Sequence, residues 1–273
     1  MNYKLLIAIP LIVLALTLGY LILKTTTTGL SLDVDLKGGT LITAETTRDI
    51  DENDLENVLN SYEADVRIAR GITGNSIFIE FDSAIEPEEV MVTLQDNGYN
   101  FDDYSIQTVG PTLGEASFNQ AIIVLIFAFI FMAGTILFIF KIPVVSFYIS
   151  LCPAFDIIET LAISQLLGIK LSLASFAALL MIIGYSVDDD VMIATRILKV
   201  SGDMKEKLRN SLKTSLTTTI ATLVALTALY AISLSTIITQ IASVLLIGLI
   251  VDLQNTWLFD TTLLRWYNER KSK

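Results

Sequence analysis

The chain of 273 residues is 53% hydrophobic and has a mean hydropathy of +0.63, which excludes an ordinary soluble protein and indicates a polytopic membrane protein. The formal net charge is −11, so we expect no nucleic-acid partner, because phosphates would be repelled. The single cysteine, Cys152, excludes an intrachain disulfide, and the absence of histidine leaves carboxylates for proton chemistry and excludes a His-ligated metal site. We expect no cofactor and no bound metal.

Six apolar runs are long enough to cross a bilayer, which takes about 20 residues. They cover residues 4–23, 118–140, 144–167, 171–197, 212–233 and 236–259. Most basic residues, including Lys4, Lys141, the group from Arg196 to Lys213 and the end of the chain from Arg265, fall on one side if both termini are cytoplasmic. The sequence therefore predicts a multi-pass cell-membrane protein with cytoplasmic N- and C-termini.

Residues 29–117 form a separate acidic block, with 19 acidic against four basic residues, which the charge asymmetry places outside the membrane. Strand-like alternation at 40–46, 64–70, 76–81 and 104–109 is interrupted by helix-like spacing at 51–62 and 88–96. The order β-α-β-β-α-β predicts a small α+β domain of the ferredoxin-like type. The predicted domains are a first transmembrane helix (1–28), this extracytoplasmic domain (29–117), a five-helix transmembrane bundle (118–260) and a cytoplasmic tail (261–273).

Three consecutive aspartates, Asp188, Asp189 and Asp190, lie in the predicted fourth span. An ionised carboxylate at a helix centre in a bilayer costs roughly 2.5–3.5 kcal/mol, so such residues usually face a partner, a cavity or an ion path. Asp189 and Arg196 lie two turns apart on one helical stripe. We expect Asp189 to face inward and to carry an ion, whereas Arg196 either pairs with it or extends to the inner membrane surface.

The neighbours of Asp189 cannot share its face, so contact with headgroups or with a neighbouring helix backbone remains the alternative for Asp188 and Asp190. Two further acids, Asp156 and Asp252, lie within predicted spans, followed three residues later by Glu159 and Asn255 respectively. They either extend a relay from Asp189 or mark helices beside a wet cavity. A hydroxyl stripe in the fifth span, Ser211, Thr214, Thr218 and Thr222, is typical of helix packing.

Five short motifs follow one another along the chain. They are D-L-K-G-G-T (Asp35, Gly38, Gly39), V-G-P-T-L-G (Gly110, Pro111), D-I-I-E-T-L from Asp156, G-Y-S-V-D-D-D-V (Gly184, Tyr185, Ser186) and T-S-L-T-T (Thr214, Ser215). Each motif is weak alone, but the set in this order resembles the SecF family of protein-export membrane subunits, relatives of the RND superfamily. The compact outer block without histidine is similar to an archaeal member.

The resemblance implies a non-enzymatic accessory subunit of the Sec machinery. Such a subunit would pair with a SecD-like partner and use a proton or other ion gradient to assist the translocating polypeptide through SecYEG. The resemblance assigns ion relay to Asp189. The further candidates for the relay, which lie in or at the ends of predicted spans, are Asp156, Asp252, Asp188 and Arg196. Three positions depart from the family pattern, with Asp188 in place of Asn, Phe155 in place of His and Asn210 in place of Arg.

The sequence also leaves three other functions open. The first is a half-size RND-type exporter of lipid or small molecules, which would share the architecture. The second is an intramembrane aspartyl protease, which is disfavoured because no G-x-G-D stretch is present. The third is a purely structural scaffold, for which several intramembrane carboxylates would be a costly design.

Overall fold

The computed structural model describes residues 6–46, 50–70, 75–101, 103–233 and 235–271. In chain order its elements are α1 (Ala8–Thr27), α2 (Val34–Lys37), β1 (Gly39–Thr46), α3 (Glu52–Val58), β2 (Asp65–Arg70), β3 (Asn75–Phe81), α4 (Pro87–Asp96), β4 (Asp103–Val109), α5 (Pro111–Phe140), α6 (Pro143–Leu166), α7 (Leu173–Lys199), α8 (Met204–Ile232), α9 (Thr236–Asn255) and α10 (Thr261–Lys271). A π-helical segment, Thr256–Asp260, joins α9 to α10.

Five helical stretches in the described residues are long and apolar enough to cross a membrane: α1, α5, α6, α8 and the continuous run from α9 into α10. The predicted fourth span corresponds to α7, which does not meet the same criterion. Every 18-residue window of α7 contains all three of the consecutive aspartates, and this lowers its apolar character. The helix that carries Asp188, Asp189 and Asp190 is therefore the one predicted span that the hydropathy criterion does not select among the described residues.

Several helices extend beyond the apolar runs that predicted them. Helix α5 begins at Pro111 rather than near 118, because proline is favoured in the first helical turn, so the predicted domain boundary at 117 lies inside this helix. Helix α8 begins at Met204 rather than 212, since its polar first turns are good helix formers that hydropathy does not detect. Lys4 lies outside the described residues.

Helix α7 is central in the bundle, where it contacts α5, α6, α8 and α9. Its buried residues include Ile182, Ile183, Ile193 and Ile197, which belong to the main apolar core. Gly248 of α9 permits close packing at this point. A Cβ atom at Gly248 would lie 2.1 Å from Ile182 Cδ1 and 3.3 Å from Thr160 Oγ1. Small residues allow such close approach between helices in membranes.

The acidic block, residues 29–117, is called the outer block here after its predicted location. It contains a four-stranded antiparallel sheet in the order β2-β3-β1-β4. Its helices and strands follow in the order β-α-β-β-α-β, which agrees with the predicted order. Fully buried side chains of α3 and α4, such as Leu55 and Leu94, pack with Ile42 and Ile79 of the sheet. Strand β3 is buried along nearly its whole length, so both faces of the sheet are covered at its centre.

A short helix, α2, which the sequence pattern does not reveal, connects α1 to the sheet. Asp33 caps it, since its Oδ1 accepts a hydrogen bond of 2.8 Å from the backbone N–H of Val34. The preceding residues run beside the α6–α7 loop, where the Asp33 N–H donates to Leu171 O and the Leu171 N–H donates to Ser31 O, each at 2.8 Å. The linker is therefore held against the end of the bundle where the α6–α7 loop lies.

Two of the sequence motifs meet at the base of the outer block. Gly38 has φ +83°, a conformation that disfavours side chains, and a Cβ there would lie 2.6 Å from Pro111 Cα. A Cβ at Gly114 would lie 2.5 Å from Gly38 N and 2.9 Å from Lys37 C. The two glycines let the start of α5 contact the backbone after α2, which fixes the domain on the bundle.

The predicted cytoplasmic tail, residues 261–273, is helical as far as Lys271 and is not a free extension. Leu264 is fully buried in the main core, and α10 contacts α6 and α7. The π-helical segment before it shifts the helical register, which turns Asp260 toward the protein interior.

The glycine junction predicts a difference between two alanine substitutions in α5. We expect Gly114→Ala to reduce the free energy of unfolding by about 1–3 kcal/mol, the usual cost of overpacking a close contact. Gly134→Ala is the matched control, because it lies in the same helix and has no heavy atom within 4 Å of the added Cβ. Thermal unfolding in detergent measures both variants, and equal midpoints would contradict the close contact.

Candidate functional site

Asp189 lies at the interface between α7 and α8. It is half-buried, and its Oδ2 accepts a hydrogen bond of 2.5 Å from Ser215 Oγ. Ser215, one of the motif residues of α8, is itself 1% exposed. The structure therefore directs this carboxylate at a neighbouring helix rather than away from the bundle.

The two neighbouring aspartates differ sharply in their surroundings. Asp188 is exposed, whereas Asp190 is 0% exposed. Asp190 Oδ1 accepts a hydrogen bond of 3.0 Å from Thr256 Oγ1, so its partner is a side chain of the π-helical segment and not a headgroup or helix backbone. Asp188, and not Asp190, was a predicted relay candidate, and their burial in the structure favours Asp190 instead.

Thr256 is shared between two carboxyl groups. Its Oγ1 lies 3.0 Å from Asp190 Oδ1 and 3.2 Å from Asp252 Oδ1. A hydroxyl group carries one proton and donates to one acceptor at a time. The two carboxyl groups therefore either share this one proton or one of them is itself protonated and donates to Thr256. This geometry brings the predicted Asp252 to Asp190.

A second group of polar contacts surrounds Asp156 on α6. Ser186 Oγ donates to Asp156 Oδ2 at 2.6 Å, and Asn255 Nδ2 donates to Asp156 Oδ1 at 2.9 Å. The same amide nitrogen lies 3.1 Å from Glu159 Oε2 and has a second proton for that acceptor. Asp156 and Glu159 are both 0% exposed. Helices α6, α7 and α9 thus converge on one polar region.

We refer to five buried acids as the inner cluster: Asp156, Glu159, Asp190, Asp252 and Asp260. All are at most 2% exposed. In the described residues, neither carboxylate oxygen of Asp260 has a hydrogen-bond partner, and one oxygen each of Glu159 and Asp190 also lacks one. Buried polar atoms of this kind usually bind ordered water or an ion.

The inner cluster has no compensating cation among the described residues. None of its carboxylates forms an ion pair with lysine or arginine there, and Lys170 is the one buried basic side chain in the described part of the chain. Several negative charges without a cation would be very costly in a low-dielectric interior. The arrangement is therefore suited to binding protons or a small cation.

Arg196 does not join either acidic group in the described structure. Its Nη2 donates to Thr214 Oγ1 at 3.2 Å, which brings this motif threonine to the C-terminal end of α7. No ion pair between Arg196 and Asp189 occurs among the described residues, so the pairing considered in the sequence analysis is absent from this conformation.

The remaining motif residues divide between structural and polar roles. The junction at the start of α5 includes Gly39, Gly110 and Pro111. An exposed face of α7, away from the inner cluster, carries Gly184 and Tyr185.

Asp35 lies in the outer block, where Gln107 Nε2 donates to its Oδ1 at 2.7 Å. Burial, followed by the nearby charge of Asp33, raises the pKa of the Asp35 carboxyl above its usual value.

The sequence contained a usable signal for Asp190. It follows Ser186 by four residues and precedes Ile193 by three, so it belongs to the same buried helical face. Asp260 gave no such signal, because the π-helical segment breaks the periodicity that would have placed it. Thr256 was missed for the same reason.

Comparison with known proteins agrees with the motif resemblance. Residues 89–270 match the family model for the C-terminal part of the protein export membrane proteins SecD/SecF. Protein-export membrane protein SecF of Methanothermobacter thermautotrophicus is 35% identical, over 99% of this chain and 94% of the relative. SecF of Methanocaldococcus jannaschii is also 35% identical, over 97% of this chain and 96% of the relative.

A solved structure shares the fold. The crystal structure of SecDF, a translocon-associated membrane protein from Thermus thermophilus, superposes with a TM-score of 0.77 at 20% identity. The match covers 98% of this chain and 39% of the SecDF chain. With relatives above 30% identity aligned along nearly the whole chain, this multi-pass membrane protein belongs to the SecF family of protein-export membrane proteins.

Proposed function

We propose that this protein is an accessory subunit of the Sec protein-translocation machinery. In this proposal it pairs with a SecD-like subunit and uses an ion gradient, most simply of protons, to assist polypeptide export through SecYEG. The observation that carries the proposal is the inner cluster together with Asp189, a set of carboxyl groups inside the helix bundle without a cation among the described residues. Family membership supplies the process that these groups serve.

The energy available to such a cluster is adequate for mechanical work. One elementary charge that crosses about 100 mV is worth roughly 2.3 kcal/mol. A carboxyl group that takes up a proton from one side and releases it to the other transfers this energy to the protein if the two states differ in helix packing. The protein therefore needs carboxylates on a helix whose position can change.

Helix α7 meets this requirement because it presents adjacent carboxylates to two different interfaces. Asp189 contacts Ser215 of α8, and Asp190 contacts Thr256 beyond α9. Successive side chains on a helix point about 100° apart, so the two groups face different neighbours, and a rotation of α7 changes the surroundings of both at once. We infer an ion route in which Asp189 exchanges with water and the inner cluster forms the interior part.

The wider architecture follows from the same proposal. Helix α7 is taken as a membrane span, fourth in chain order, which brings the number of spans to six. The outer block is taken as a ferredoxin-like domain on the outer side, and both termini as cytoplasmic. Large apolar side chains remain exposed on α1, α5 and α8, including Leu16, Phe131, Phe138 and Val224. These faces suit contact with lipid and with the helices of a SecD-like partner. The matched region covers 39% of the related SecDF chain, so that chain has room for a SecD-like part beside the part that resembles this protein.

A half-size exporter of lipid or small molecules is the second candidate. One observation favours it, a cleft of about 740 Å³ between the sheet and the outer ends of α8 and α9, lined by residues such as Arg67, Phe78, Tyr230 and Gln240. This volume is within the range of small-molecule sites. A pocket of this kind is also compatible with an export subunit, so the partner distinguishes the two functions.

Asp189→Asn is expected to leave folding and assembly intact and to abolish the gradient-dependent part of protein export, because the amide cannot exchange a proton. The control is Asp188→Asn, the same substitution at the neighbouring exposed position, which is expected to retain export. Export of a signal-sequence substrate is measured in cells lacking the native copy, with and without a protonophore. Normal gradient-dependent export by Asp189→Asn would defeat the assignment.

The partner prediction is tested by purification from native membranes in mild detergent. We expect a SecD-like subunit and components of the SecYEG channel to co-purify with the affinity-tagged protein. The variant Gly114→Ala, which alters a junction and no exposed helix face, serves to show that capture depends on an intact fold. Recovery of a self-contained homo-oligomer with bound lipid, and without channel components, would instead support the exporter.

A further inference from the structure

The outer end of α7 is attached to the outer block through a buried ion cluster. Glu80 of β3 is 2% exposed, and its Oε2 lies 2.7 Å from Lys170 Nζ. Lys170 belongs to the α6–α7 loop and is 8% exposed. Lys37 and Arg67, both from the outer block, also contact Glu80, Lys37 at 3.3 Å. Lys170 is the one member of this cluster that the membrane bundle supplies.

Lys170 also offsets a repulsion between two acidic residues of the outer block. Asp65 of β2 and Glu80 of β3 are directly opposite one another in the sheet register. Like charges at such positions repel. Lys170 Nζ contacts both carboxylates, at 2.6 Å from Asp65 Oδ2 and 2.7 Å from Glu80 Oε2. A base of the bundle thus holds together an acidic pair of the outer block.

The two residues after Lys170 extend the attachment. Leu171 exchanges backbone hydrogen bonds with the linker at Ser31 and Asp33. Ser172, the N-cap of α7, donates to Gln240 Oε1 of α9 at 2.7 Å, and Gln240 Nε2 donates to Asp33 Oδ2 at 2.7 Å. The start of α7 is therefore connected to the sheet, to the linker and to α9 within three consecutive residues.

From this geometry we propose that Lys170 is the positioning residue that transmits movement between α7 and the outer block, so that ion exchange in the bundle moves the outer domain. The inference rests on the proposed function. Ser172 and Asp189 are 17 positions apart on one helix, about 26 Å at 1.5 Å per residue. A helix in a packed bundle moves as a unit over such a distance, so displacement near the carboxylates reaches the ion cluster.

The test separates ion flux from export in membrane vesicles that contain the complete complex. Proton uptake is followed with a pH-sensitive dye, and export of a signal-sequence substrate is measured in parallel. Lys170→Met is expected to retain proton flux while gradient-dependent export falls about tenfold or more, because Asp65 and Glu80 lose the cation that links them to the start of α7. Lys170→Arg keeps the charge and is expected to restore export.

Lys37→Met is the matched control. It removes a lysine from the same glutamate but from within the outer block, and Lys37 is 45% exposed. We expect it to retain both flux and export. If Lys170→Met does not accumulate, the double variant Lys170→Met/Asp65→Asn keeps the charge balance and leaves Glu80 with Lys37 and Arg67. The same separation of flux from export is expected for this variant.

Retention of both activities by Lys170→Met and by the double variant Lys170→Met/Asp65→Asn would overturn the inference. So would parallel loss of flux and export in an assembled complex, because that result indicates a structural role alone. Failure of the proposed function has a different signature. In that case Asp189→Asn would leave proton flux unchanged, whatever the behaviour of the Lys170 variants.

Discussion

Hydrocarbon solvates charge poorly, yet this bundle places five acidic side chains at its centre without a cation among the described residues. The structure compensates through hydroxyl and amide donors, chiefly Ser186, Asn255 and Thr256. These donors are too few to satisfy every carboxylate oxygen in the described part of the chain. The carboxylate oxygens without a donor therefore need a proton, a water molecule or a small cation.

Helix α7 connects this requirement to the rest of the molecule. Its C-terminal half places Asp189 and Asp190 at two separate interfaces, and its N-terminus lies beside the ion cluster of Lys170 and Glu80. Close packing at Gly248 holds α9 against α6 and α7. The outer block is held at a second point, where Gly38 and Gly114 let α5 approach the linker.

Local sequence patterns predicted much of this fold. Long apolar runs predicted five helices that meet the length and hydropathy criteria for a span, and alternation with helical spacing predicted the order of strands and helices in the outer block. Polar helix starts, as at Met204, could not be placed from hydropathy.

The site was only partly predictable. Asp156 and Asp252 were recognised as intramembrane acids, but the approach of Asp252 to Asp190 through Thr256 depends on a π-helical segment that periodicity does not reveal. The pairing of Lys170 with Glu80 joins residues far apart in the chain, and neither residue alone signals it.

The central claim is that carboxyl groups of α7 change protonation as the protein works. Infrared difference spectroscopy of the assembled complex in liposomes tests it most directly, by recording the C=O stretch of protonated carboxyl groups before and after a pH gradient is imposed. The account predicts a gradient-dependent carboxyl band that shifts in D₂O and that loses intensity in the Asp189→Asn variant but not in Asp188→Asn. A carboxyl spectrum that does not respond to the gradient, or a response that is identical in the two variants, would contradict it.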